Sequence, residues 1–217
     1  MEEHVARHCG EREALFLWQV RPTVIFGRNQ SLESEVDTAY CREHGIEMYR
    51  RKSGGGCVYA DEHNLMISYV AEGDNVGFAF HTFVGMMVLL LRSLGVEAVA
   101  TAHNDILIGD RKVSGTACYK LPGHCIVHAT LLYDTRMQHM LHAITPPADK
   151  LRKKGIQSVR QRITLLKDHI TLSFEQLKSY TREKLCSGEL LLTPDDVGAI
   201  ECLEQTYKDE QFINLIK

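Results

Sequence analysis

Apolar positions fall into short strand-like runs over the first two-thirds of the chain and into helical spacing towards its end. The runs at 14–20 (ALFLWQV) and 23–27 (TVIFG), separated by Arg21-Pro22, predict two strands and a turn. Residues 35–44 carry helical spacing and meet Gly45, a good helix stop. IEMYR (46–50) then reads as a strand entering three consecutive glycines, and VYA (58–60) and NLMISYV (64–70) predict strands around a turn at Asp61–His63. The most apolar stretch, FAFHTFVGMMVLLL at 78–91, contains His81, Thr82 and Gly85. It falls short of the ~20 apolar residues a membrane span needs, so the pattern predicts a buried helix over 78–94 closed by Gly95. DILIGDRKVSG (105–115) reads as a hairpin with Gly109-Asp110 at its tip, and CIVHATLLY (125–133) as a central strand. Helices are predicted at 134–143, 174–186 and 194–206, the last with Thr193 as N-cap and Pro194 at the first helical position. Strands preceding helices, with no internal repeat or linker, predict an α+β class: a mixed, largely antiparallel sheet flanked by helices, in a single domain over 1–217.

Composition narrows the function classes. A chain of 217 residues buries roughly 70% of its unfolded surface, so it needs no metal or disulfide staple. The formal charge of −3 carries no basic excess and argues against nucleic acid as a partner, although Lys and Arg cluster at 50–52, 111–112 and 150–154. Seven cysteines form no Cys-x-x-Cys pair, and eleven histidines are scattered without paired ligand spacing, so no metal site is expected. The opening MEEHVARHCGEREALFLW lacks a cationic flank followed by an apolar core and is not a secretory signal. The expectation is a reduced, cytoplasmic protein with no membrane partner.

Two stretches carry candidate chemistry. In RRKSGGGCVYADEHNL (50–65) the glycines let the backbone take φ > 0 and let amide N–H groups approach an anion, while Arg50, Arg51 and Lys52 add charged donors. The stretch is neither a P-loop nor a Gly-x-Gly-x-x-Gly helix opening, and alone it fits a phosphate cradle and a structural turn equally well. In HNDILIGDRKVSGTA (103–117), Lys112 is followed by the small residues Ser114, Gly115, Thr116 and Ala117, a setting in which a lysine lies beside a ligand as a point charge. A solvated lysine at a hairpin tip is the plainer reading of that motif, and a satisfied core histidine the plainer reading of His128 in CIVHATLL. Cys57 and Cys125 have no Cys/His/Asp grammar around them and fit small buried hydrophobes better than nucleophiles.

Taken together, RRKSGGGCVYADEHNLMISYV, HNDILIGDRKVSGTA, HATLLYD and KGIQSVRQRIT resemble the lipoate–protein ligase family in order and spacing, and LFLWQVRPTVIFGRNQ resembles its opening strands. The resemblance covers 14 to about 170 closely. It implies a fold shared with biotin–protein ligases and a two-step reaction. Lipoate's carboxylate attacks the α-phosphate of ATP, pyrophosphate leaves, and a lysine amine of an acceptor then displaces AMP from lipoyl-AMP. Mg²⁺ is implied with ATP, held mostly by phosphates. By motif, Lys112 would contact the lipoyl carbonyl and phosphate. Arg51 and the turn Gly54, Gly55, Gly56, Cys57, Val58 and Tyr59 would bind nucleotide, and Arg50, Ser53, Asn104, Asp105, Ser114, Gly115, His128 and Thr130 would line the remaining tunnel. Val20, Val24, Leu65 or Val70 are expected to supply an apolar slot for the dithiolane. The implied acceptors are apo lipoyl domains of 2-oxoacid dehydrogenase acyltransferase subunits or the glycine-cleavage H protein.

Departures from the family pattern bear on nucleotide contacts and acyl preference. His103 replaces Arg, Ala129 replaces Gly, Met66 takes a usually polar place, and Phe212 stands for Trp. Family ligases usually carry a further small C-terminal domain; its expected absence here makes an accessory ligase subunit for adenylation the alternative to autonomous catalysis. Octanoyl or lipoyl transferases of the same fold use a thioester cysteine, and VEAVATAHND (96–105) and LHAITPPADK (141–150) contain none. A biotin ligase's basic loop is not matched. A non-catalytic half of a split ligase is a further alternative, against which the presence of Lys112 argues.

Overall fold

Strand alternation in this chain builds two sheets, seen in a computed structural model that describes residues 1–8, 13–145 and 162–215. The basic cluster at 150–154, Cys9, and most of KGIQSVRQRIT lie outside the described residues, as does the second half of LHAITPPADK. The order is α1 (Glu2–His8), β1 (Glu13–Trp18), β2 (Thr23–Phe26), α2 (Leu32–Glu35), α3 (Thr38–Glu43), β3 (Glu47–Arg50), β4 (Val58–Ala60) and β5 (Asn64–Glu72). There follow α4 (Val76–Ser93), β6 (Ala98–Ala100), β7 (Asp105–Ile108), β8 (Arg111–Leu121), β9 (His124–Leu132), α5 (Met137–Ala143), α6 (Phe174–Leu185), α7 (Pro194–Lys208) and α8 (Glu210–Ile213).

The large sheet has strand order β1-β5-β9-β8-β7-β6 with every pairing antiparallel. The small sheet, β3-β2-β4, pairs β2 with β3 in parallel and with β4 antiparallel. The architecture is therefore mixed and largely antiparallel, as the patterning predicts. The two opening strands, which read as neighbours around a turn, separate into different sheets. The helix predicted over 35–44 is broken at Val36 and Asp37: Val36 bridges Ile144, and Asp37 restarts the chain as N-cap by accepting from the Tyr40 N–H. At the predicted hairpin tip Gly109 takes φ 61, a left-handed conformation that glycine adopts without Cβ strain. α1, β6 and α8 have no counterpart in the predicted elements.

Parity along the strands assigns the two faces. Leu65, Ile67 and Tyr69 of β5 and Val127, Ala129 and Leu131 of β9 join the main core with Phe83, Met87, Leu90 and Leu91 of α4 and Leu177 of α6. By length and composition α4 is long and apolar enough to cross a membrane, but one face of it, Ala79, Phe83, Met87, Leu90 and Leu91, is buried. On the opposite face β9 presents Ile126, His128, Thr130 and Leu132 in turn. Ile126 packs with Val5 and Ala6 of α1, and Leu132 with Val24 and Tyr59 of the small sheet. The second face is thus covered at both ends, and His128 and Thr130 lie between the covers.

Candidate active site

Backbone geometry brings the glycine loop into this gap. β3 ends at Arg50, and the chain turns through Arg51–Gly56 before β4 begins at Val58. The turn is laced to the segment after β2: the Arg51 N–H donates to the Phe26 carbonyl at 3.0 Å, and the Arg28 N–H to the Ser53 carbonyl at 2.9 Å. Gly27 permits this approach, because a Cβ there would sit 2.0 Å from the Gly55 carbonyl oxygen. Gly55 itself takes φ 93.

The guanidinium of Arg51 lies inside the turn. It donates through Nε to Ser53 Oγ at 2.9 Å, through Nη1 to the Ile25 carbonyl at 2.9 Å, and through Nη2 to the carbonyls of Gly54 at 2.6 Å and Gly56 at 2.8 Å. Burial pushes its pKa down to about 10, partly offset by Cys57, so it remains cationic at neutral pH. Ser53, fully buried, places Oγ 2.8 Å from His128 Nε2. The loop is therefore tied to the large sheet through one serine and one histidine.

Lys112 enters from β8. A register shift against β7 leaves Val113 bulged, with Lys112 opposite Leu107 and Gly115 opposite Asp105. Lys112 Nζ lies 2.7 Å from Asp105 Oδ1, and Arg162 pairs with the other carboxylate oxygen. Burial alone would raise the Asp105 pKa, but the two cations and their hydrogen bonds hold it below the ordinary carboxylate range. Gly115 makes room for the lysine, since a Cβ there would meet Nζ at 2.5 Å and Cε at 2.8 Å. Gly115 pairs with Thr130, and Ala117 with His128. The lysine's seat and the histidine's row are thus two residues apart along the strands, about 7 Å.

Several motif residues are turned elsewhere. Arg50 is 2% exposed and donates to the carbonyls of Arg28 (2.7 Å), Gln30 (2.8 Å), Phe212 (3.1 Å) and Ile213 (3.0 Å), with its guanidinium 4.8 Å from the Phe26 ring. Its donors staple the end of the chain to the loop after β2. Ser114 pairs with Leu131 and, like it, faces the α4 side, with Oγ unpartnered among the described residues. Asn104 closes the hairpin by donating Nδ2 to the Thr116 carbonyl at 3.1 Å. Tyr59 sits in the small core, and Cys57 packs against that core. Of the expected slot residues, Val70 lies on the site face, Leu65 on the opposite one, and Val24 in the small core. Among the described residues no group of three His, Cys, Asp or Glu is placed to hold a metal ion.

The structure also recruits residues that motif reading passed over. Glu2 of α1 places Oε1 2.9 Å from His128 Nδ1, and accepts from Ser68 Oγ at 2.6 Å and from the Tyr119 hydroxyl at 3.1 Å. Trp18 Nε1 donates to Ser68 Oγ at 2.9 Å. Burial opposes ionisation of Glu2, but its contact with His128 and the hydrogen bonds from Ser68 and Tyr119 keep its pKa lowered. Acidic residues in a first helical turn ordinarily face solvent, so nothing in MEEH signals this contact.

The family profile described as Lipoyl protein ligase A/B catalytic domain matches residues 1–186. This chain belongs to that family. It is 32% identical to lipoate-protein ligase LplJ of Bacillus subtilis over 220 residues, covering 100% of this chain and 65% of the relative. With lipoate–protein ligase 1 of Staphylococcus aureus it shares 36% identity over 211 residues, 94% of this chain and 64% of the relative. The chain thus spans a little under two-thirds of the length of the curated relatives it matches. Among solved structures, a chain of the bipartite lipoate protein ligase system of Thermoplasma acidophilum, described with its E2 lipoyl domain, superposes with TM-score 0.85 and 28% identity, covering 100% of this chain and 90% of that one. A lipoate-protein ligase A bound with ATP gives TM-score 0.84 and 26% identity, covering 98% of this chain and 90% of that one. The glycine turn, the Lys112 hairpin and the His128 strand meet on one face of the large sheet.

Proposed function

We propose that this chain is the catalytic part of a cytoplasmic lipoate–protein ligase. In the first step a lipoate carboxylate oxygen forms a bond to the α-phosphorus of ATP and the bond to pyrophosphate breaks. In the second, an acceptor lysine amine bonds to the acyl carbon and AMP leaves. The observation that carries the reading is the meeting of Arg51 and Ser53 with His128 on the face where Gly115 seats Lys112. Adenylation concentrates negative charge on phosphoryl oxygens, and fixed cations with preorganised amides are what that charge requires. Arg51 and the main chain of Gly54–Tyr59 would receive nucleotide, and Lys112 would bridge acyl carbonyl and phosphate. Asp105, already shared by Lys112 and Arg162, does not fit a dedicated metal cage. Mg²⁺ accompanying ATP would be held by the phosphates. Among the described residues no two cysteines form a disulfide.

The acceptors proposed are apo lipoyl domains of 2-oxoacid dehydrogenase acyltransferase subunits or the glycine-cleavage H protein. The assay that follows separates adenylation by this chain alone from adenylation that needs an accessory subunit. Purified protein is incubated with apo lipoyl domain and either ATP, Mg²⁺ and lipoate, or synthetic lipoyl-AMP. Lipoylation from both donors identifies an autonomous ligase, and lipoylation from lipoyl-AMP alone identifies a split one. Transfer only from octanoyl-acyl carrier protein would overturn the ligase reading in favour of a transferase.

A further inference from the structure

Hydrogen-bond directions around His128 admit one consistent assignment. Ser53 Oγ accepts from Arg51 Nε–H, and its own proton needs an acceptor because the residue is fully buried. Among the described residues the remaining partner is His128 Nε2 at 2.8 Å, and taking the serine proton requires that nitrogen to be unprotonated. The ring proton therefore resides on Nδ1 and is donated to Glu2 Oε1 at 2.9 Å. Glu2, an acceptor only, fits: its other contacts, Ser68 Oγ–H and Tyr119 O–H, both donate to it. Were His128 to donate at both nitrogens, the Ser53 hydroxyl would be left buried without an acceptor among the described residues. Every donor in the series Arg51–Ser53–His128–Glu2 thus points the same way, from a guanidinium to a carboxylate, an alignment in which each bond polarises the next.

We propose that Glu2 is a positioning residue: it holds His128 as the Nδ1–H tautomer, so that bare Nε2 takes the Ser53 proton and Ser53 turns its lone pairs to Arg51. Helix α1 thereby sets the orientation of the glycine turn's cation. Its seating supports this, since Glu3 bonds Lys52 Nζ at 2.5 Å and the Tyr207 hydroxyl at 2.6 Å, gripping the same turn from the next residue. The consequence for acyl activation rests on the ligase reading; the hydrogen-bond series does not.

The test uses the full chain, isotope-labelled, with imidazole NMR at neutral pH and His128 assigned by its Asn variant. Wild type is expected to show a protonated Nδ1 and an unprotonated Nε2. Glu2→Ala should move His128 towards the Nε2–H tautomer, speed exchange of Arg51 Nε–H, and slow lipoyl transfer at saturating substrate by on the order of tenfold to a hundredfold, the range seen when a metal-bound histidine loses its outer partner. Glu2→Gln, whose amide oxygen still accepts from Nδ1–H, should keep the tautomer and recover part of the rate. Ser53→Ala should speed Arg51 exchange while leaving the tautomer in place, which keeps the test decisive should Glu2→Ala fail to fold. An Nε2–H or doubly protonated His128 in wild type, an unchanged tautomer in Glu2→Ala, or a changed tautomer with an unchanged rate each overturns the proposal. A wild type that lipoylates nothing sinks the ligase reading instead, and the NMR arms still decide the relay.

Discussion

At the residue scale, the site depends on positions where a side chain is missing as much as on those where one is present. Gly115 holds nothing, yet Lys112 occupies the volume its Cβ would fill. Gly115→Ala should leave the fold largely intact and displace the ammonium, lowering lipoyl transfer by on the order of tenfold to a hundredfold, as misplacing a reacting group does. Lys112→Ala should lower it by at least about a hundredfold, the scale for removing one charge-stabilising donor. Cys57→Ala should keep a substantial rate, because its thiol packs against the small core. Initial rates from synthetic lipoyl-AMP check all three, and a Gly115→Ala enzyme with the wild-type rate would show that Lys112 acts without that seat. Lys112, Arg51 and His128 were named through the family resemblance, because residue type alone favours a solvated lysine and a core histidine. Motif reading missed Glu2 and Arg162, whose roles exist only through partners more than fifty residues away.

At the element scale, local chemistry predicted much of the secondary structure. Thr193 and Pro194 begin α7, with Thr193 and Asp196 forming a capping box, and Gly109 turns the β7–β8 hairpin as read. The break between α2 and α3 was not legible, because Val36 leaves the helix to bridge Ile144, more than a hundred residues on. Arg50 illustrates the converse error. Its place in a basic run suggests an anion site, while packing makes it the staple of α8. Arg50→Ala would leave buried carbonyls unpaired and should cost about 3 kcal/mol or more, read as a lowered denaturation midpoint. An Arg50→Ala protein of wild-type stability but with weakened ATP binding would return Arg50 to the nucleotide site.

At the scale of the whole molecule, the two ends of the chain close over the glycine turn. α1 meets α7 through His4 Nε2 and Asp196 Oδ1 at 2.8 Å, while Glu3 reaches Tyr207. Hydrogen bonds from the Thr193 hydroxyl and backbone N–H, with a smaller contribution from His4, depress the Asp196 pKa from 3.8 to about 2. A depressed carboxylate stabilises the fold above its unfolded value, and that contribution is lost as pH falls through the folded one. Acid titration followed by circular dichroism should therefore show a loss between pH 3.8 and about 2 that is shallower in Asp196→Asn. Equal slopes would show that ionised Asp196 contributes nothing to stability.

The α+β class, most strands and the glycine and lysine motifs follow from residue order, because alternation, turn chemistry and capping act over a few positions. Which strands share a sheet, which face of that sheet is left between α1 and the small sheet, and which carboxylate meets His128 were decided only by tertiary structure. Those contacts join residues distant in the chain, and a local pattern carries no information about a partner it does not contain. The glycine turn and Lys112 stand out through short motifs that resemble a family, but the hydrogen-bond series that orients Arg51 exists only where helix, turn and sheet converge.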